Sequence, residues 1–261
     1  MKNRGTKRNL SIGKAFQVIE TMASQGGPMR LQEIAQQTGI PASTALRFLT
    51  TLKEYGYVDQ VPKTAQYFLT MKFYRIGNLV SKQIQIRDLV RPYLAQLSRE
   101  FEESVSLAIE QNFHVVYVDV VDGPDHMLQT LQRIGKIAPL HGTGVGKCLL
   151  SGFEESRLEE LVKRQGLPAL TPHTIHSMQD LKKELEAVRR QGWAIDNEEC
   201  EIGARCVAAP IRDYTGRIVA AISTSGPVFR MTEEKMEYMK IRITQAAKEI
   251  SRLLGYEEGT A

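Results

Sequence analysis

The chain has 261 residues, 42% hydrophobic and 25% charged, which is room for two folded cores and too apolar for a disordered polymer. No apolar run approaches the roughly 18–20 residues of a membrane span, and no signal-peptide core follows the basic N-terminus. Three cysteines are too sparse and odd in number for a secreted disulfide framework, so a cytoplasmic address is expected. The net charge of +4 is unevenly spread: residues 1–78 carry 11 Lys/Arg against 4 Asp/Glu, a net of +7, and the remaining 183 carry 23 against 26, a net of −3. A basic module attached to a neutral-to-acidic domain is the charge footprint of a polyanion binder.

Residues 1–9, with Lys2, Arg4, Lys7 and Arg8, have no apolar pattern and read as a basic arm. Ser11 is placed to cap a first helix carrying Ile12, Ala15, Phe16, Ile19 and Met22, which ends near Gly26-Gly27-Pro28. Leu31, Ile34 and Ala35 then mark a second helix, stopped by Gly39 and Pro41. Ala45, Leu46, Leu49 and Leu52 mark a third, closed by Gly56. The last two helices and their tight turn form a helix-turn-helix, and Ser43, Thr44 and Arg47 occupy the start of its second helix, where base edges and phosphates are met. Residues 57–61 and 66–69 flank Pro62-Lys63-Thr64-Ala65 and predict a hairpin wing with Lys63 at its tip, against phosphate.

Residues 71–101 have helical apolar spacings in both halves, predicting one or two connecting helices with Arg91-Pro92 at a helix start and enough apolar surface for homodimerisation. Beyond them, 104–111 and 114–121 predict two strands around an Asn112-Phe113 turn, and 127–134 a further strand. Helices are expected at 143–152, 154–165 and 178–191, strands at 205–211 and 219–225, and a final amphipathic helix over about 232–254. The domain plan is therefore a 1–9 arm, a DNA-binding domain over 10–75, a linker helix over 76–101 and a second domain over 102–261.

With both halves laid out, the chain resembles the IclR family of bacterial transcriptional regulators over nearly its whole length. The resemblance rests on 31–47 (Leu-Gln-Glu-Ile-Ala to Ser-Thr-Ala-Leu-Arg), 52–57, Arg133-Ile134-Gly135, 139–147, 196–206, Val207-Ala-Ala-Pro210 and 221–227, in that order and spacing. It implies a mixed α/β (α+β) fold: an N-terminal winged helix-turn-helix joined by a linker helix to a C-terminal GAF-like effector-binding domain, assembled as a homodimer or homotetramer. It implies DNA contacts at Ser43, Thr44 and Arg47, and an effector pocket near Gly144, Val145, Asp196, Cys206, Ser223 and Ser225. Many relatives have a lysine after the turn proline where this chain has Ala42, which removes one phosphate contact.

The run from Gly142 to Cys148 invites a phosphate-loop reading, but the first glycine position is His141 and the metal-binding hydroxyl is replaced by Cys148. Glycines opening a helix instead expose amides, and those of Gly144 and Val145, with the Ser223 and Ser225 hydroxyls, suit a ligand carboxylate. Asp196, Glu198 and Glu199 form an acidic cluster ahead of Arg205, read as solvated or Arg205-paired, with Asp196 alone turned to a ligand hydroxyl. Cys148 and Cys200 read as small core or surface residues. His173 and His176 lack a third ligand, and convergence of His141, Asp196 and Cys206 is the sole metal alternative, so neither metal nor cofactor is expected. The expected function is a repressor of a catabolic operon, binding double-stranded operator DNA and controlled by a small organic acid such as a sugar acid or keto acid. Two rivals stay open: an enzyme turning over its ligand through Asp196 and Cys206, and a DNA-binding protein whose second domain only oligomerises.

Overall fold

The computed structural model describes residues 9–83, 85–124 and 133–258. The basic arm with Arg8, and most of the strand expected at 127–134, lie outside the described residues; Arg133 and Ile134 stand in a turn before Lys136. The chain divides into two units, residues 1–84 and 85–261.

The first unit is built from α1 (Leu10–Gln25), α2 (Leu31–Thr38), α3 (Ala42–Glu54), a hairpin of β1 (Val58–Gln60) and β2 (Tyr67–Leu69), and α4 (Lys72–Gln83). Its core gathers Val18 and Met22 of α1, Ile34 of α2, Ala45 and Leu49 of α3, and Val58 and Tyr67 of the hairpin. Gly39 stops α2 in the left-handed region at φ 65°, a conformation a side chain would strain. Two expectations need correction. Asn9, two residues earlier than expected, caps α1 by accepting from the Ser11 and Ile12 amides; Ser11 lies inside the helix. The stripe expected on α1 holds only in part: Met22 is buried and Ala15 and Ile19 are half-buried, but Val18 takes the centre of the inward face while Ile12 and Phe16 stay more than half exposed.

The second unit is a six-stranded antiparallel sheet in the order β5-β4-β3-β8-β7-β6. Its strands are β3 (Ser104–Gln111), β4 (His114–Val121), β5 (Ile137–Pro139), β6 (Ala194–Asn197), β7 (Ala204–Arg212) and β8 (Ile218–Pro227). On one face lie α5 (Ile86–Phe101) and α9 (Glu233–Leu253), through Val90, Leu94, Leu97, Met236, Met239 and Ile243. On the other lie α6 (Gly144–Leu150), α7 (Glu155–Gln165) and α8 (Met178–Gln191). The short strands β5 and β6 were not anticipated.

The expected start of a helix at Pro92 is also corrected. Gln85 opens α5 and Pro92 lies inside it, because the apolar face Val90, Leu94, Leu97 and Phe101 runs straight through. That burial, about 1.5–3 kcal/mol per large side chain, offsets the hydrogen bond that proline forfeits. A bulge between Leu107 and Ala108, opposite Val118, breaks the β3–β4 register. It shifts the side-chain phase of β4, so that Tyr117 packs with the α6–α8 core and Asp119 meets Arg91 of α5 at 2.6 Å.

Candidate functional site

In the first unit the N-terminal face of α3 carries the DNA-contact candidates. Pro41 precedes the helix, and its carbonyl accepts from the Thr44 and Ala45 amides. Ala45 and Leu49 are buried and fix the helix rotation, so that Ser43 and Arg47, one turn apart, are exposed together while Thr44 is half-buried. Leu46, expected in the core stripe, is instead 40% exposed beside Arg47. Arg47 makes no ion pair among the described residues and is free for a phosphate or base edge. Lys63 is exposed between the wing strands, in a turn held by Ala65 at φ 54° and by the Val61 amide donating to the Gln66 carbonyl at 2.8 Å.

In the second unit a cavity of about 700 Å³ opens beside the ends of β5, β6, β7 and β8. Asp196, Cys206 and Ser225, three of the residues singled out in the sequence, line it together with Thr143, Tyr117 and Cys200. The sheet register explains the convergence: Asp196 of β6 pairs with Cys206 of β7, which pairs with Ser225 of β8. Asp196 is 7% exposed. Its Oδ1 accepts from the Glu199 and Cys200 amides at 2.8 and 3.2 Å, and Oδ2 has no partner among the described residues. Burial pushes this carboxyl up to about 6, against the pull of the two amides. Burial likewise raises the Cys206 thiol to about 12 and Cys200 to about 11, so both stand as neutral thiols.

Gly144 packs behind Cys206, and neither it nor Val145, both expected at the pocket, lines the cavity. A Cβ on Gly144 would lie 3.1 Å from the Cys206 sulfur and 3.3 Å from the Ala208 methyl, so the close approach of helix to strand needs glycine. Thr143 caps α6 by accepting from the Gly146 amide. The Gly144 and Val145 amides have no backbone partner, although the Val145 side chain is itself wholly in the core. Ser223 does not line the cavity: it is fully buried, and its hydroxyl shares a 2.9 Å hydrogen bond with Ser106.

The acidic cluster sorts differently from expectation. Arg205 donates to Asn197 at 2.7 Å rather than to a carboxylate, and Glu199 pairs with Lys147 at 2.6 Å. Lys147, 1% exposed, also holds Glu184 at 2.9 Å and so tethers α6 to the 198–203 segment and to α8. The lysine of the apparent phosphate loop is thus consumed inside the core. His141 is turned away to the Pro168 carbonyl, and among the described residues no group of three His, Cys, Asp or Glu could hold a metal. Cys200, expected to be a small core or surface residue, is a cavity wall. Tyr117, Lys136 and Phe229 are walls that sequence reasoning missed, because they reach the cavity from elements far apart in the chain.

The Asp196 environment has a measurable consequence. An acid whose pKa is raised on folding destabilises the native state once pH exceeds the unfolded value of 3.8, with the full penalty present above about 6. Asp196→Asn keeps an acceptor for the two amides and removes the charge. Its thermal unfolding is expected to match wild type near pH 4 and to be more stable by about 3 kcal/mol at pH 8. A variant no more stable than wild type at pH 8 would refute this account.

A helix-turn-helix unit followed by a sheet-and-helix unit with an open cavity walled by Asp196, Cys206 and Ser225 defines the class of ligand-responsive DNA-binding regulators. The description "IclR helix-turn-helix domain" matches residues 11–62, and "Bacterial transcriptional regulator IclR C-terminal" matches residues 78–252. The chain belongs to the IclR family of bacterial transcriptional regulators. It is 32% identical over 246 residues to the HTH-type transcriptional regulator XynR of Escherichia coli, covering 94% of this chain and 97% of that one. It is 33% identical to the transcriptional repressor IclR of the same organism, over 94% and 90% of the two chains. The crystal structure of the Thermotoga maritima IclR superposes with a TM-score of 0.63 at 35% identity, covering 95% of this chain and 99% of that one.

Proposed function

We propose that this protein is a repressor of a catabolic operon, released or tightened on its operator by a small hydroxy- or keto-acid bound in the cavity beside Asp196. The observation that carries the reading is the Asp196 carboxylate in the wall of that cavity, 7% exposed and with its Oδ2 unpartnered among the described residues. Asp196 Oδ2 accepts a ligand hydroxyl, and the cations Lys136 and Arg205 of the same walls suit a carboxylate. The volume of about 700 Å³ accommodates a sugar acid or an aromatic acid. With neutral thiols and no nucleophile–base pair among the cavity walls described, binding rather than turnover is the chemistry this site supports. Repression follows the relatives named as repressors, among them the acetate operon repressor of Salmonella typhimurium.

Operator binding uses Ser43, Thr44 and Arg47 in the major groove and Lys63 on the backbone, with the Arg8 arm adding a phosphate contact. The exposed apolar residues Leu10, Ile12 and Phe16 of α1 support a homodimer or homotetramer on a two-fold operator.

Fluorescence anisotropy with the DNA upstream of the gene tests the first half of this reading. Lys63→Ala is expected to weaken every duplex alike and to lower the salt slope by about one. A slope unchanged in that variant removes the wing from the interface. A thermal-shift panel of sugar, keto and aromatic acids tests the second half, since a ligand at a hundred times its Kd adds about 2.7 kcal/mol. If no acid raises the melting temperature of wild type, the effector reading fails.

A further inference from the structure

A second cavity, of about 710 Å³, shares no lining residue with the Asp196 cavity and lies between the end of α8, the end of β7 and the last turns of α9. Five cations line it: Arg189 and Arg190 from the last turn of α8, Arg212 at the end of β7, and Lys248 and Arg252 one turn apart on α9. Lys248 is answered by Glu258 at 2.8 Å, and Glu257, which has contacts of its own, is the other carboxylate at the rim. None of the four arginines forms an ion pair among the described residues. Two are held in place by carbonyls instead: Arg189 Nε donates to Ser151 at 2.8 Å, and Arg212 Nη1 donates to Gly216 at 2.8 Å. Each keeps further guanidinium donors for another acceptor.

The remaining walls are apolar or neutral. Pro210 and Ala247 form part of the floor, and the Tyr256 ring stands 5.9 Å from the Arg212 guanidinium. The Thr244 hydroxyl lines the same space, buried and without a partner among the described residues. Unpaired arginines suit phosphate, which they bind bidentately, better than a lone carboxylate. The volume is that of a metabolite site rather than of a single small anion.

We infer that this cavity binds a phosphorylated small molecule carrying at least two phosphate charges on an organic body. It would be a second ligand input on the effector unit, separate from the acid-binding cavity. The phosphates meet Arg190, Arg252 and the free donors of Arg189 and Arg212, and the body rests on the Pro210–Ala247 floor within reach of the Thr244 hydroxyl.

The full chain provides its own reporter. Its single tryptophan, Trp193, directly follows Gly192 of the cavity wall and lies under the Lys240 ammonium at 4.4 Å. Titrating ADP, fructose 1,6-bisphosphate and pyrophosphate, with sulfate at matched ionic strength, is expected to give a saturable fluorescence change and a higher melting temperature. At least one organic diphosphate should have a midpoint about tenfold or more below that of sulfate. Arg190→Ser with Arg252→Ser, both at exposed positions that leave the fold intact, should raise that midpoint about tenfold, and Asp196→Asn should not move it. Equal responses to sulfate and diphosphates, or a midpoint unmoved by the double substitution, overturn the proposal. So does a response abolished by Asp196→Asn, which would put the probe in the acid cavity. If the double variant instead lowers DNA affinity or changes the sedimenting species with no effect on the probes, the arginines serve a nucleic acid or a second copy, and the proposal falls.

Discussion

Replacing Lys147 with methionine is expected to cost the protein about 3–5 kcal/mol, because it strands Glu199 in the interior without its counter-ion. Burial works against the Lys147 ammonium, yet the Glu199 and Glu184 carboxylates more than offset it and hold its pKa above the ordinary lysine value. Methionine keeps the volume of the stem, so the loss is electrostatic rather than a cavity effect. In a unit of this size it corresponds to a fall in melting temperature of about 10 °C. Adding Glu199→Gln should recover much of that fall, since an uncharged pair carries no stranded carboxylate. Thermal unfolding of the two variants checks both statements. A single variant within about 1 kcal/mol of wild type would overturn this account of the buried pair.

Arg47→Ala is expected to weaken specific operator binding by about ten- to a hundredfold, or about 1–3 kcal/mol, and to relax discrimination at the base pair it reads. The unfolding temperature should not change, because the side chain is exposed and has no partner to lose. Competition anisotropy with point-mutated operators measures both effects. Equal affinity in wild type and variant would remove the N-terminal face of α3 from the major groove. Ser43→Ala, on the same exposed face, should show the same pattern at smaller size.

The strongly patterned parts of this chain were legible before any coordinates. Val105, Leu107 and Ile109 alternate along Ser104–Gln111, His114–Val121 is a mostly β-branched apolar run broken only by Asp119, and the strands fall at those positions on either side of the Asn112-Phe113 turn. The turn after α2 was legible because Gly39 and Pro41 each exclude continuation of the helix. What failed were inferences where two stripes compete or where an element is very short. On α1 both Ile12–Phe16 and Val18 have helical spacing to the buried Met22 end of the helix, and only packing against α2 and α3 chooses between them. β5 and β6, of three and four residues, have too little alternation to detect, yet β6 delivers Asp196. Tyr117 and Phe229 reach the cavity through tertiary proximity, which periodicity does not encode. The Lys147–Glu199 pair spans 52 residues, and its lysine stood in a motif that pointed to phosphate instead.

The strand order carries a consequence for the order of events during synthesis. β3 lies between β4 and β8, so its second edge waits for a partner more than a hundred residues downstream. The hydrophobic core of the first unit, by contrast, draws only on residues up to Leu69 and is complete while the ribosome is still making the sheet. Nascent chains shorter than about 227 residues therefore expose a long, apolar strand edge on β3, which is a template for association with other unfinished chains. Premature termination ahead of β8 should yield a folded DNA-binding head on an aggregating tail.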